Sequence, residues 1–220
     1  MVIVLTSPFI RARAIGAGRR GTGVGLNVAL EAAAAGARVE LVGKVGDDDA
    51  GNGIAVELER AGVGHAALLR DPSSTTPVEG GGAPLSLGRA DVELALRYLV
   101  DFRVVVAADR LAADASAVVA EAAHYVGAHR IILAEGDVAA NLEGADQGSA
   151  PRDPVRAGDA GDVDPLRAQD VTVLLAPIGE GGAFTAFVGR YAALLDAGRA
   201  PSDAFAAAAR EIGWEPARHA

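Results

Sequence analysis

The stretch from Val171 to Thr185 constrains the fold more than any other part of the sequence. It reads VTVLLAPIGEGGAFT, an apolar run over Val171–Leu175 followed by Pro177 and a glycine-rich turn. An Ala-rich helical pattern over Ala183–Leu195 comes next. A strand, a glycine turn and a helix in this order aim free backbone N–H groups at the turn, where an anion can bind. The stretch therefore predicts an α/β unit with an anion site at the start of its helix.

The rest of the chain repeats this alternation of short apolar runs and helical patterns. Such alternation predicts one α/β domain over residues 1–220, with a mostly parallel sheet, helices on both faces and ligands beyond the carboxyl ends of the strands. The expected strands are Val2–Leu5, Arg38–Val42, Ala66–Leu69, Phe102–Ala107, Arg130–Leu133 and Val171–Leu175. The expected helices are Leu26–Ala35, Ala50–Ala61, Arg89–Leu99, Asp114–Val126, Ala183–Leu195 and Ser202–Ile212. The expected loops are Ser7–Arg20, Gly21–Asn27, Gly43–Asp49, Asp71–Leu87 and the irregular stretch Glu135–Gln169.

Composition excludes several classes of function. The formal net charge of −9 argues against a nucleic-acid binder, which needs a basic face. The chain has no Cys, so a disulfide framework, a thiol nucleophile and a Cys-ligated metal are all excluded. No apolar run approaches membrane-spanning length, which predicts a cytoplasmic protein without a membrane partner.

Two separated motifs resemble the ribokinase/PfkB family of carbohydrate kinases. The first runs from Gly23-Val24-Gly25-Leu26-Asn27 through Ala35-Gly36-Ala37 to Val42–Gly51, which reads VGKVGDDDAG. It is similar to the family's glycine loop, its helix ending in L-G-A and its V-G-x-V-G-D-D-x-x-G signature. The second is Gly179–Thr185, GEGGAFT, which resembles the family's G-A-G-D-A-F-T signature and lies after a strand and before an Ala-rich helix.

The resemblance implies a ribokinase-like three-layer α/β/α fold and a homodimer. It also implies phosphoryl transfer from ATP, with Mg²⁺, to a hydroxymethyl group of a sugar or nucleoside. Matched position by position, Gly23, Gly25 and Asn27 would bind the substrate. An anion hole on the nucleotide side, which stabilises charge on the transferred group, would be formed by Gly179, Gly181 and Gly182.

Several departures from the family pattern predict that this reaction is impaired or lost. Gly182 stands where the family has its catalytic Asp, and Glu180 is the one nearby carboxylate that could replace it. Loss of a general base alone typically lowers the rate about a hundred- to ten-thousand-fold. Val24 replaces a Lys that is frequent in the first loop, and no N-x-x-E metal-organising motif occurs within Glu135–Gln169. The lid strands expected around Thr75–Pro77 also look deleted, so we expect the lid to be reduced or absent.

Two other functions remain open. One is a non-catalytic small-molecule-binding or scaffold protein that forms a homo-oligomer. The other is an NADP-binding Rossmann-type protein, because Gly16–Gly21 reads G-x-G-x-x-G. In that alternative Arg11–Ile15 is a strand and Lys44 meets the 2′-phosphate.

The remaining acidic and His residues give weaker signals. Asp47–Asp49 could bind a metal, but such a run more often caps the following helix. Asp159, Asp162 and Asp164 could collect a Ca²⁺, although an EF-hand's bidentate Glu is missing. The four His residues show no shared ligand spacing, so we expect no metal site built from protein side chains alone.

Overall fold

The computed structural model describes residues 1–11, 20–79, 81, 85–135, 171–176 and 182–213. Within these ranges the strands are β1 (Val2–Leu5), β2 (Phe9–Arg11), β3 (Arg20–Thr22), β4 (Val39–Gly46), β5 (Leu68–Asp71), β6 (Val104–Ala107), β7 (His129–Glu135) and β8 (Val171–Ala176). The helices are α1 (Val24–Ala34), α2 (Asp49–Arg60), α3 (Arg89–Tyr98), α4 (Ala113–Val126), α5 (Gly182–Asp196) and α6 (Pro201–Ile212). None of these helices has the length and apolar character needed to cross a bilayer.

Six of the described strands form one sheet in the order β5-β4-β1-β6-β7-β8, and every neighbouring pair is parallel. β1 lies between β4 and β6, and all four of its residues are fully buried. A strand covered on both faces needs a continuous apolar run rather than an alternating one, which explains its sequence VIVL. The mostly parallel sheet predicted from the sequence is therefore confirmed.

The helices form a layer on each face of the sheet. On one face, buried side chains of α1, α2, α5 and α6 share an apolar cluster with strand residues such as Val2, Val4 and Leu41. On the other face, α3 and α4 pack on Ile3 and Leu5. The fold is therefore the expected three-layer α/β/α arrangement.

Within the first of these layers, an aromatic cluster joins α5 to α6. The rings of Phe187 and Tyr191 stack with their centroids 6.1 Å apart, and Phe205 of α6 meets both edge-on. The Tyr191 hydroxyl lies 3.0 Å from the Thr172 hydroxyl, which is 2.8 Å from Nε2 of the buried His129. This network connects the strand–turn–helix unit around β8 to the neighbouring strand β7.

A two-stranded antiparallel ribbon, β2 and β3, lies outside the main sheet. Val78 forms an isolated bridge to Ile10 of β2 and another to Gly81. Within the described residues, the segment around Val78 therefore lies beside this ribbon, and the expected reduction of the lid stays a prediction. The expected irregular loop Ser7–Arg20 was wrong at its ends, because Phe9–Arg11 and Arg20 are paired.

Two further boundaries differ from the prediction. The expected loop Gly21–Asn27 was wrong, because β3 extends to Thr22 and α1 begins at Val24. The expected turn over Gly43–Asp49 was also partly wrong, because β4 continues to Gly46 in register with β5. In both places the glycines are close-packed against other elements, so their presence did not signal a loop. The stretch 136–170 lies outside the described residues.

Candidate functional site

The order in which strands are added to the sheet reverses between β1 and β6. The chain first builds the sheet outward from β1 through β4 to β5, and then returns to place β6 on the other side of β1. In open α/β sheets, ligands bind outside the carboxyl ends of the strands at such a switch point. The residues that directly follow β1 and β6 are therefore the first candidates for a binding site.

A carboxylate and two hydroxyls meet at this switch point. Asp109, two residues after β6, accepts a hydrogen bond from the Thr6 hydroxyl at 3.1 Å and another from the Ser7 backbone N–H. The Ser7 hydroxyl in turn donates to the Leu85 carbonyl at 2.6 Å. We call Thr6, Ser7, Gly25 and Asp109 the switch-point cluster. Sequence reasoning missed Asp109, although an Asp two residues after the buried run Val104–Ala107 is the signal that could have found it.

The three predicted substrate residues lie at the start of α1. Gly25 is buried, and a Cβ there would come within 2.7 Å of the Ala108 Cβ and still closer to the Thr6 side chain. Gly23 has a φ of 120°, which favours glycine. Asn27 is half-buried, and its side chain makes no hydrogen bond to the described residues. The structure thus brings Gly25 into the cluster and gives it a packing role.

The second half of the first motif is explained by close contacts. A Cβ on Gly43 would lie 2.7 Å from the Thr6 carbonyl oxygen. One on Gly46 would lie 2.5 Å from the Thr76 nitrogen, and one on Gly51 would lie 2.5 Å from the Gly46 oxygen. Gly46 and Gly51 therefore let β4, α2 and the segment near Thr76 approach one another closely. Gly43 lets β4 approach the backbone of Thr6.

Asp48 caps α2, as the cap interpretation of Asp47–Asp49 predicted. Its carboxylate accepts a hydrogen bond from the Gly51 N–H at 2.7 Å. Burial raises the pKa of Asp48, but hydrogen bonds donated by Gly51 and Thr76 outweigh it and hold that pKa below its ordinary value. Among the described residues, no group of three or more His, Asp or Glu side chains could hold a metal ion.

The second motif is described only in part. Gly179, Glu180 and Gly181 lie outside the described residues, so the predicted anion hole and the substitute base are not placed. Gly182 is the exposed first residue of α5, and a Cβ there would meet nothing within 4 Å. The buried Thr185 donates a hydrogen bond from its hydroxyl to the Gly182 carbonyl at 3.1 Å. Packing against the described residues therefore gives no reason for glycine at position 182.

The structure describes only some of the residues behind the weaker alternatives. Arg20 and Gly21 belong to strand β3, where the dinucleotide interpretation needs the beginning of a helix, and residues 12–19 lie outside the described ranges. Lys44 forms an ion pair with Asp91 at 2.5 Å. Asp159, Asp162 and Asp164 also lie outside the described residues.

Comparisons with known proteins agree with this architecture. Residues 15–80 match the pfkB family carbohydrate kinase. The match covers less than half of the chain, and it is to this family that the chain is similar. Its resemblance to the carbohydrate kinases, proposed from two motifs, is thereby confirmed, and no curated protein sequence matches the chain.

Solved structures similar to this chain include several kinases. Aminoimidazole riboside kinase from Salmonella enterica, complexed with aminoimidazole riboside and an ATP analogue, has a TM-score of 0.64 at 18% identity, covering 96% of this chain and 90% of that chain. A provisionally named ribokinase II from E. coli, in complex with ATP and Mg²⁺, has a TM-score of 0.61 at 14% identity, covering 94% and 89%. A provisionally named phosphofructokinase from Staphylococcus aureus has a TM-score of 0.59 at 16% identity, covering 94% and 89%. At these identities the likeness concerns the fold.

Proposed function

We propose that this chain is a carbohydrate-kinase homologue that binds a sugar or nucleoside at the switch-point cluster and has impaired or lost phosphotransfer. The observation that carries the proposal is the contrast between the two ends of the site. On the substrate side, Asp109 is held by Thr6 and Ser7 at the switch point. On the transfer side, a Cβ on Gly182 at the start of α5 would meet no atom of the described residues within 4 Å, at the position where the family has its catalytic Asp.

The substrate side has groups that suit a polyol. A carboxylate that two neighbouring groups hold in place can accept further hydrogen bonds from sugar hydroxyls, because an ionised carboxylate has about four lone-pair sites. Asn27, whose side-chain amide has no hydrogen-bond partner among the described residues, can both donate and accept. Binding of this type fixes the orientation of a small polar ligand without a metal ion.

The transfer side has the frame of an anion site without its base. Gly182 begins a helix of 15 residues, whose first N–H groups and dipole favour a phosphate. Among the described residues at the start of α5, Gly182 offers no side chain that could accept the proton of an attacking hydroxyl. The described residues also offer no cluster of acidic ligands for Mg²⁺. ATP binding in this chain is therefore proposed at the start of α5 alone, with Gly182 as its described member.

A thermal-shift screen tests both halves of the proposal. The panel contains common sugars and nucleosides, ATP and ADP with and without Mg²⁺, and NADP. We expect sugars or nucleosides to raise the melting temperature of the wild type and to do so less for D109N, while D101N, at an exposed position, behaves like the wild type. A ligand that binds the native state at about a hundred times its Kd stabilises by about 2.7 kcal/mol, which is readily measured.

The other outcomes assign the chain differently. A shift with NADP alone would favour the dinucleotide-binding alternative. No shift with any ligand would favour the scaffold alternative, which light scattering would then test by looking for a homo-oligomer. The expected homodimer and cytoplasmic location stay predictions, and both can be measured directly.

A further inference from the structure

Asp48 does more than cap α2. One carboxylate oxygen accepts hydrogen bonds from the Gly51 N–H and from the Thr76 hydroxyl, both at 2.7 Å. The other accepts the Thr76 backbone N–H at 2.7 Å. A cap needs only the first of these three bonds. The other two join α2 to a segment 28 residues further along the chain.

Thr76 completes a closed network. Its side chain is buried, and its hydroxyl accepts a hydrogen bond from the Gly46 N–H at 3.0 Å while donating to Asp48. Gly46 cannot carry a side chain here, because its Cβ would come within 2.6 Å of the Ser74 oxygen. The end of β4, the start of α2 and the segment around Thr76 are thus locked together, and we call this network the Asp48–Thr76 clasp.

The clasp leads directly to the ribbon β2–β3. Pro77, the residue after Thr76, accepts a hydrogen bond from the Ile10 N–H at 2.9 Å, and the Ile10 carbonyl accepts one from the Glu79 N–H at 2.8 Å. The Arg11 side chain adds an ion pair to Glu79 at 3.0 Å. Residues 77–79 therefore run beside β2 as a short hydrogen-bonded segment that begins directly after Thr76.

The ribbon begins and ends beside the switch-point cluster. β2 starts two residues after Ser7, and β3 ends one residue before Gly23, whose Cβ position is 3.3 Å from the Phe9 ring. The position of the ribbon therefore affects the positions of Ser7, which precedes β2, and of Gly23, which follows β3. We propose that Asp48 is a positioning residue: through Thr76 it holds the ribbon β2–β3 in place beside the ligand site.

That the cluster binds a ligand is part of the proposed function, and the present proposal rests on it. The clasp itself can be tested without any ligand. The test is amide hydrogen exchange, resolved residue by residue by NMR, on the full chain. The variants are D48N and T76V. Asn at position 48 keeps an acceptor for the Gly51 N–H, so the cap survives, but its NH₂ group cannot accept the Thr76 N–H. Val at position 76 removes the hydroxyl and keeps the shape.

Matched controls separate the clasp from general effects. T76S keeps the hydroxyl, and D49N removes a neighbouring negative charge from the first turn of α2. In D48N and T76V we expect exchange of the Ile10 and Glu79 amides to rise about tenfold or more, because hydrogen bonds to a charged group are lost. In these two variants, exchange of the β1 and β6 amides should stay as in the wild type. In the two controls, T76S and D49N, exchange should stay as in the wild type at Ile10, at Glu79 and throughout β1 and β6.

Two outcomes would overturn the proposal. Unchanged exchange at Ile10 and Glu79 in both variants would show that the ribbon does not depend on the clasp. An equal rise over the whole sheet would show that Asp48 stabilises the fold globally and positions nothing. A failure of the ligand screen described above would leave this result intact, so the two proposals fail separately.

Discussion

Replacing Gly25 by Ala tests whether this glycine has the packing role found in the structure. The added Cβ would lie 2.7 Å from the Ala108 Cβ and closer still to the Thr6 side chain. Real Cβ contacts are not that short, so α1 must move away from β1 and β6. Because Thr6 donates to Asp109, the same shift would disturb the switch-point cluster.

The magnitude follows from two opposed effects. Overpacking of a well-filled core costs about 1–3 kcal/mol. Replacing Gly by Ala in a helix returns at most about 1 kcal/mol, and less in the first turn. The net expectation is a loss of about 1–2 kcal/mol in the free energy of unfolding. For a chain of this size that corresponds to a melting temperature lower by about 2–8 °C.

Gly53 supplies the matched control. It is an exposed glycine in α2, and a Cβ there would meet nothing within 4 Å. G53A should therefore raise the free energy of unfolding by up to about 1 kcal/mol. Urea unfolding of both variants, followed by circular dichroism, gives the comparison. If G25A proves as stable as G53A, the close approach of α1 to Thr6 and Ala108 is refuted.

Three further predictions concern other parts of the fold. G189A should lower the free energy of unfolding by about 1–2 kcal/mol in urea, because its Cβ would come within 2.6 Å of the Glu31 Cβ where α5 crosses α1; a neutral result would contradict that contact. Burial raises the pKa of Tyr191 more than its hydrogen bond to Thr172 lowers it, so the phenol is neutral. Y191F should therefore cost about 1 kcal/mol, and T172V, which removes two contacts, should cost more in the same assay; equal costs would argue against the network. The lowered pKa of Asp48 means that its stabilising effect is complete above the unfolded pKa of about 3.9 and is lost as the pH falls through the folded value. The difference in melting temperature between the wild type and D48N should accordingly shrink from about pH 6 to about pH 3, and a constant difference would count against that carboxylate.

The sequence predicted the sheet and its helices well, because apolar runs such as Val2–Leu5 are buried on both faces and carry their own signal. The prediction of loops from glycine content was wrong in one place. Gly21 and Gly25 indicated a loop, whereas they mark close contacts with Ile54 and Thr6. Local composition cannot distinguish a flexible glycine from a close-packed one, since the distinction depends on a neighbour far along the chain.

The candidate site was predictable only where its residues are local. The cap formed by Asp48 follows from its position before a helical pattern, and the structure confirms it. Its bonds to Thr76 do not follow, because they join residues 28 positions apart. The contact between Thr6 and Asp109 spans 103 positions and depends on the parallel register of β1 and β6. Such contacts require the sheet order, which the sequence pattern leaves open.

The central claim is that a ligand-binding half survives beside a transfer half that has lost its base. It is tested most directly by transfer of the labelled γ-phosphate of ATP, with Mg²⁺, to the sugar or nucleoside that gives the largest thermal shift. The account predicts that the wild type shows transfer at least about a hundred-fold below an ordinary kinase turnover of about 10 s⁻¹. Ordinary turnover by the wild type, with Gly182 in place of the family's Asp, would contradict it.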